Sequence, residues 1–388
     1  MGKTRKYMQA TALSVLFVVP VLASAASDYV EIDPGNYRRI IDGKQTDLYT
    51  LKNDRGMIVK ITNYGGKVVQ LLVPDKNGRL GDVAMGFDTL EESSKYVPSA
   101  GAIIGRYANR ITKGLFSLDG KQYQLSINNN VNHLHGGKKG SRFVVFDAKQ
   151  IDDHALQLNY YFKDGEEGYP GNCNLKVIYS LSDDNALTMT YDAVTDKPTI
   201  VNFSNHTNFN LTGTIGTSIE DHIVTINADT FAPADKLLMP TGERRDVTGS
   251  PFDFRRPAKI RDLIYTKDEQ LKNGQQLQNP PVEGGYDHNW FLNKAAEELS
   301  FAARVLEPTS GRVLEIYTTE PVIHWASGNS LAGTEVGKGG KNYIFRGAFV
   351  MLAEHPDDSP NQPQWPTTVL RPGEWFSSTT IYKFSTLP

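Results

Sequence analysis

Apolar and polar residues alternate along much of this chain. The segments LQLNYYF (residues 156–162) and LTMTYDA (residues 187–193) place an apolar side chain at nearly every second position, a pattern typical of strands buried on one face. Similar runs predict strands at 57–62, 68–73, 156–162, 175–181, 186–193, 222–226, 312–318 and 379–384. The chain is therefore predicted to fold mainly as β-structure.

Turn signals separate these runs, as in Asp75-Lys76-Asn77-Gly78 and Asp119-Gly120, because Asp, Asn and Gly tolerate the backbone angles of tight turns. Helical periodicity is limited to short pieces near residues 89–95 and 258–263. No linker rich in Pro, Gly or Ser divides the chain and no fixed repeat is present. We expect one all-β domain, a large antiparallel β-sandwich over residues 26–388.

The first 25 residues have the organisation of a signal peptide. Lys3, Arg5 and Lys6 precede an apolar run over residues 12–22, and the small residues of 23–25 (ASA) suit a signal peptidase. The apolar run is too short to span a bilayer comfortably. Cleavage would change the net charge from −3 to −6. The expected mature protein is soluble and exported to a bacterial periplasm, without a membrane partner.

Composition narrows the function classes. Apolar residues make up 39% of the 388 residues and charged residues 22%, so the chain can bury a real core. A small net negative charge without a basic block argues against a nucleic-acid partner. Cys173 is the only cysteine, which excludes an intrachain disulfide. No His or Cys pair has the close spacing of a zinc site, so no metal is expected. The oligomeric state is not predictable from the sequence.

Three segments gather the candidate chemistry. They are GRYANRI (residues 105–111), NHLHGG (132–137) and NFSNHTNFNL (202–211). Guanidinium, amide and imidazole groups with fixed hydrogen-bond geometry can hold a polyhydroxylated ligand, and imidazole can transfer protons near neutral pH. Acid–base work usually needs a carboxylate as well. These segments predict a binding site for a sugar-like ligand, but none of them contains the carboxylate that would act with the imidazole.

Further segments share this order with a known family. GLFSLDGKQYQL, GGYDHNW, TTEP, SPNQP and LRPGE follow along the chain, and the whole set resembles the aldose 1-epimerases, the galactose mutarotase family, from about residue 45 to the end. The resemblance implies a large sugar-binding β-sandwich without a cofactor. It implies an isomerase that interconverts the α and β anomers of free hexoses such as glucose or galactose, with a small-molecule sugar as its partner.

The resemblance also implies roles for individual residues. His206 corresponds to the family's proton donor to the ring oxygen, and Asn109, Arg110 and His135 correspond to sugar contacts. His135 is favoured over His133 because Gly136 and Gly137 follow it and allow a ligand to approach closely. Asp287, in GGYDHNW, corresponds to a carboxylate that accepts hydrogen bonds from sugar hydroxyls.

This chain differs from the family at the position of the catalytic glutamate. Aligned without gaps, Leu352 falls on that glutamate and Glu354 falls two residues later. In one interpretation a local slip makes Glu354 the proton acceptor; without the slip it would point to the same side of the strand but lie about 6–7 Å further along. In the other, the protein is a catalytically altered or silent sugar-binding member. Asn208 and His324 stand where the family commonly has Tyr and Gln, so both are candidate substrate contacts in an altered pocket.

Overall fold

The computed structural model describes residues 1–2, 29–274 and 284–388. From residue 3 onward the predicted signal peptide lies outside the described residues, so it stays a prediction. The helices that are described are short, and none has the length and apolarity needed to cross a membrane.

The largest sheet is a continuous antiparallel sheet. In spatial order its nine strands are Asp147–Gln150, Ala155–Phe162, Cys173–Leu181, Ala186–Thr195, Phe376–Thr386, Arg312–Thr318, Ser300–Leu306, Ile223–Ile226 and Ala258–Lys259. Burial alternates along Cys173–Leu181, where every odd-numbered residue is buried and every even-numbered residue is more exposed. One face of this sheet therefore covers the core and the other meets solvent.

A second antiparallel sheet carries the functional region. In spatial order its six strands are Asn208–Phe209, Phe349–Glu354, Val322–Ala326, Asp287–Leu292, Ala228–Ala232 and Arg245–Asp246. All six residues of both Asp287–Leu292 and Phe349–Glu354 are buried. One face contributes Ile323, Trp325 and Met351 to the main hydrophobic core. Because side chains alternate between faces, the neighbouring residues His324 and Leu352 point away from that core.

Smaller elements surround the two sheets. A four-stranded sheet contains Leu48–Lys52, Ile58–Thr62, Lys67–Pro74 and Leu80–Asp82. Two-stranded pairs join Ile40–Ile41 with Lys44–Gln45, Ile103–Ile104 with Ser204–Asn205, Arg110–Ile111 with His133–Leu134, Leu115–Leu118 with Lys121–Gln124, Thr199–Ile200 with Val369–Leu370, and Glu335–Val336 with Asn342–Tyr343. The α-helices are Leu90–Lys95, Ile260–Ile264 and Glu269–Asn273, and 3-10 turns occupy Pro34–Tyr37, Thr112–Gly114, Ser141–Phe143, Glu166–Gly168, Lys338–Gly340 and Ser359–Asn361.

The all-β antiparallel prediction is confirmed, and each predicted strand coincides with an observed one to within a few residues at its ends. The helix predicted near residue 89 is present, with Thr89 as its cap and Glu92 completing a capping box. The helix predicted from residue 258 begins only at Ile260, because Ala258–Lys259 pairs as a strand with Ile223–Val224. One hydrophobic cluster draws on residues from Leu51 to Phe384; the division into a signal peptide and one domain over residues 26–388 stays a prediction.

Candidate active site

Cross-strand register arranges the polar residues of the six-stranded sheet in rows. Asn289 pairs with His324, and His324 pairs with Leu352. Asp287 pairs with Ala326 in the neighbouring row on the cavity side. Because every second residue points to the same face, these side chains form one surface opposite the main core. The sheet thus presents a carboxylate, an imidazole and an isobutyl group side by side.

Loops above the sheet supply the second group of side chains. Asn109 and His135 flank the paired strands Arg110–Ile111 and His133–Leu134, and both have positive φ, 62° and 52°. The backbone N–H of Asn109 donates to Nδ1 of His135 at 3.1 Å, and the backbone N–H of His135 donates to the Asn109 carbonyl at 3.0 Å. Nδ1 of His135 is therefore an acceptor, and its proton resides on Nε2.

Gly136 shows why this loop needs glycine. Its φ is +77°, and a Cβ built on it would lie 1.8 Å from the carbonyl oxygen of Gly105. No other residue fits a backbone approach that close. The segments GRYANRI and NHLHGG are thereby held against each other, which brings Arg110 and His135 to the same site.

His206 faces this loop. Its Nδ1 lies 3.1 Å from Oδ1 of Asn208, and its ring makes an edge-to-face contact with His135 at a centroid distance of 5.2 Å. An amide oxygen only accepts hydrogen bonds, so Nδ1 carries the proton of the neutral ring and Nε2 keeps its lone pair. Burial lowers the pKa of His206 to about 4, a change that the bond to Asn208 only partly opposes. At neutral pH His206 is an uncharged proton acceptor.

Arg110 links the loop to the sheet. Its guanidinium donates to Oδ1 of Asn109 at 3.1 Å and lies 3.7 Å from a carboxylate oxygen of both Asp287 and Asp357. All four side chains are nearly fully buried. A guanidinium held between two carboxylates is fixed in position.

His324 lies on the other side of Asp287. Its Nε2 donates to Oδ1 of Asp287 at 2.7 Å, and its Nδ1 lies 3.5 Å from Oδ1 of Asp357. Burial alone would lower the pKa of His324, but the carboxylates of Asp357 and Asp287 outweigh it and raise the pKa well above its ordinary value. His324 is therefore an imidazolium at neutral pH, the opposite state to His206.

Leu352, and not Glu354, belongs to the cavity wall beside these groups. Leu352 lines the cavity, whereas Glu354 is fully buried and pairs with Val322, one row further from the cavity. The strand Phe349–Glu354 pairs with Val322–Ala326 in uniform register. In the structure there is thus no bulge that would move Glu354 into the place of residue 352.

Glu354 is nevertheless connected to the site from behind. Its Oε1 accepts a hydrogen bond from Nδ2 of Asn109 at 3.0 Å and lies 4.0 Å from Nδ1 of His324. Burial raises the pKa of Glu354 well above that of an ordinary glutamate, although the charge of His324 opposes the rise. Its role as proton acceptor stays a prediction, with Asn109 and His324 between it and the cavity.

These side chains enclose a cavity of about 200 Å³. Its lining includes seven of the eight residues singled out from the sequence, namely Asn109, Arg110, His135, His206, Asn208, Asp287 and His324, together with apolar side chains that include Leu134, Val350 and Leu352. A larger cavity of about 790 Å³ lies near His355 and Trp375 and contains none of the eight. The small cavity is the candidate active site, because seven of the eight predicted site residues face it.

Known proteins resemble this chain over most of its length. The family model described as aldose 1-epimerase matches residues 47–383. The chain belongs to the aldose 1-epimerase family. It is 42% identical to the galactose mutarotase of Bos taurus over 339 residues, which cover 87% of this chain and 94% of that protein. It is 34% identical to the aldose 1-epimerase of Escherichia coli K12 over 345 residues, covering 88% and 96%.

Solved structures show the same fold. The galactose 1-epimerase of Lactobacillus acidophilus NCFM is 30% identical with a TM-score of 0.76, over 90% of this chain and 97% of that one. The GalM/aldose epimerase homologue from C. elegans is 28% identical with a TM-score of 0.80, over 88% and 100%. The architecture of the aldose 1-epimerase family therefore extends over nearly all the described residues.

Within this aldose 1-epimerase fold, several neighbours of the site residues are structural. Arg106 donates to the carbonyls of Pro170 and Gly171, so it ties loops together. His133 lies between the Ser126 carbonyl and the Tyr169 hydroxyl, at 2.7 and 2.6 Å. His135, not His133, faces the cavity, as the sequence predicts.

Two further polar residues belong to this aldose 1-epimerase site and are not predicted from the sequence. Asp357 contacts Arg110 and His324, and Asn289 donates to Oδ1 of Asp357 at 2.9 Å. Asn289 is two residues from Asp287 on the same strand, so strict alternation could have placed both on one face. Asp357 lies in a loop, where periodicity gives no signal.

Proposed function

We propose that this protein is an aldose 1-epimerase that interconverts the α and β anomers of a free hexose such as glucose or galactose. The supporting observation is that His206 shares one cavity with a set of side chains able to bind hydroxyl groups, among them Arg110, His135 and Asp287. Family membership and the galactose mutarotases that are about 40% identical over most of the chain support the same reaction class.

The reaction needs two coordinated proton transfers. One group removes the proton from the C1 hydroxyl while another protonates the ring oxygen, and the pyranose opens to a free aldehyde. After rotation about the C1–C2 bond, the reverse transfers close the ring on the other face. Each well-placed proton-transfer group contributes roughly 10²–10⁴-fold in rate, so the protonation states of the two groups decide which one starts as acid and which as base.

We assign the starting states from the environment of each imidazole. Neutral His206, with its Nδ1–H directed at Asn208, offers Nε2 to the C1 hydroxyl as proton acceptor. His324, positively charged between Asp287 and Asp357, is the proton donor for the ring oxygen. This reverses the role that resemblance implies for His206, and it supplies a working pair although residue 352 is a leucine. On ring closure each group returns to its starting state.

Mutarotation itself tests the proposal. Purified protein should accelerate the change in optical rotation of freshly dissolved α-D-glucose or α-D-galactose, and His206→Asn should abolish most of that acceleration because an amide cannot accept the proton. No acceleration over buffer for either sugar, or for other free aldoses, would refute the enzyme proposal.

A second function is favoured by one observation, the apolar Leu352 side chain in the cavity wall. A catalytically silent sugar-binding protein would keep the hydroxyl-binding residues and lose turnover. Titration calorimetry separates the two cases: affinity for a hexose without any mutarotase activity identifies the binding protein, whereas affinity with turnover identifies the enzyme.

We also propose that the protein is exported to a periplasm by the signal peptide at residues 1–25. The basic start, apolar run and small residues before position 26 support export. Cell fractionation with N-terminal sequencing tests it; an intact N-terminus on cytoplasmic protein would refute it.

A further inference from the structure

Three buried side chains, one in the cavity wall and two behind it, converge on one point. Nδ1 of His324 and carboxylate oxygens of Glu354 and Asp357 all lie within 4.8 Å of one another. The exposed fractions of these residues are 3%, 0% and 1%. They come from two adjacent strands and the loop that follows one of them, Val322–Ala326 and Phe349–Glu354.

The separations suit ligands of one metal ion. Nδ1 of His324 lies 4.0 Å from Oε1 of Glu354 and 3.5 Å from Oδ1 of Asp357. Ligand atoms on a single Zn²⁺, each about 2.0–2.2 Å from the ion, lie roughly 3–3.5 Å from one another in tetrahedral geometry. Both distances from Nδ1 of His324 lie within about half an ångström of this range, and the two carboxylate oxygens lie within 4.8 Å of each other.

Two polar atoms of this cluster lack a hydrogen-bond partner although they are buried. They are Nδ1 of His324 and Oε2 of Glu354. Buried polar atoms are nearly always satisfied by protein, water or an ion. Because both atoms belong to the cluster, they indicate that a bound species satisfies them there.

Outer hydrogen bonds orient each side chain. Nε2–H of His324 donates to Asp287, which leaves Nδ1 available as a ligand atom; Asn109 donates to Glu354 and Asn289 donates to Asp357. A carboxylate behind a histidine is the usual support of a metal-binding imidazole, because it fixes the tautomer and raises the basicity of the ligand nitrogen.

The local charge also favours a dication. The carboxylate of Asp357 lies 3.7 Å from the guanidinium of Arg110, whereas the carboxyl group of Glu354 is contacted by Asn109 and His324. Buried acidic groups require compensation by a partner, and a cation at the centre of the cluster would contact both of these.

We propose that His324, Glu354 and Asp357 form a binding site for a divalent transition-metal ion, with Zn²⁺ or Mn²⁺ as the class that one imidazole and two carboxylates favour. A bound ion would lie between Nδ1 of His324 and the carboxyl groups of Glu354 and Asp357. The sequence did not predict the site because its ligands lie 30 and 3 residues apart and meet only through strand pairing.

Metal titration tests this site without reference to any sugar. Purified protein without an affinity tag is stripped with a chelator and titrated with Zn²⁺ by calorimetry and with Co²⁺ by visible absorption. We expect one equivalent of either ion and a Co²⁺ ligand-field band stronger than that of the aqueous ion. His324→Gln, Glu354→Gln and Asp357→Asn should each weaken binding at least tenfold.

The control variant is His154→Gln. His154 is distant from the cluster in the sequence and is not part of the cavity lining. This variant should bind both ions as the unmodified protein does. Circular dichroism and thermal melting identify any variant that fails to fold, and such a variant is replaced by one of the other two. Absence of stoichiometric binding, or binding that all three substitutions leave unchanged, would overturn the proposal. Because binding is the readout, an inactive protein that still binds one ion would refute the epimerase proposal and leave this one standing.

Discussion

Leu352 and His324 are paired directly across two antiparallel strands, and both line the same cavity. An apolar side chain therefore lies beside a buried imidazole that is held by two carboxylates. Family resemblance implies an acidic residue at position 352, so this pair marks where the present site differs from the family pattern. The following predictions test what the difference does.

Introducing a carboxylate at residue 352 should increase turnover. Leu352→Glu places a general base in the cavity wall, and a well-placed base contributes roughly 10²–10⁴-fold in rate. We expect at least a tenfold higher mutarotation rate, measured by polarimetry, with a lower melting temperature because a buried carboxylate replaces packed methyl groups. Leu352→Gln is the matched control without the charge and should show no increase; an equal increase in both variants would contradict the explanation.

The pH profile should distinguish the two roles of His206. Burial lowers its pKa to about 4, so the neutral, proton-accepting form grows as pH rises through 4 and dominates at neutral pH. In metal-free buffer we expect kcat/KM to rise through about pH 4, stay level near neutrality, and fall at alkaline pH as His324 loses its proton. A rate that falls steadily from acid to neutral pH would show instead that His206 acts as the donor.

Glu354→Gln should reveal how this buried carboxyl acts. The substitution keeps its size and can keep a hydrogen bond to Asn109, but removes the charge that Glu354 gains at alkaline pH. We expect KM within threefold of the original, kcat lower by about tenfold, and an alkaline limb shifted to lower pH, because ionised Glu354 no longer stabilises His324. A loss of 10²–10⁴ in kcat at unchanged KM would identify Glu354 as the proton acceptor.

Removal of the Arg110 charge should affect both binding and stability. Arg110→Met leaves Asp287 and Asp357 without their shared guanidinium, and breaking a buried ion pair in this way costs on the order of 3–5 kcal/mol. We expect a lower free energy of unfolding in urea and a KM raised at least tenfold. The control Arg38→Met removes the exposed pair with Asp47 and should change stability by less than about 1 kcal/mol.

Strands buried on one face are easier to predict from the sequence than strands buried on both faces. Segments such as residues 156–162 alternate clearly and were found, whereas DHNWFL (287–292) and FVMLAE (349–354) are buried throughout and show no period that separates strand from other buried structure. These are the strands that carry the site. Local motifs located Asn109, His135 and His206, but the pairing of residue 324 with 352 is a long-range contact, and no local pattern specifies register between distant strands.

The double burial of the six-stranded sheet has a consequence for how the protein meets its ligand. Amide protons of Phe349–Glu354 and Asp287–Leu292, hidden on both faces, should exchange with deuterium only through extensive unfolding. The floor of the cavity is therefore rigid before any sugar arrives. Little conformational entropy remains to be lost on binding, so association should be fast and its temperature dependence should reflect displaced water more than ordering of the chain.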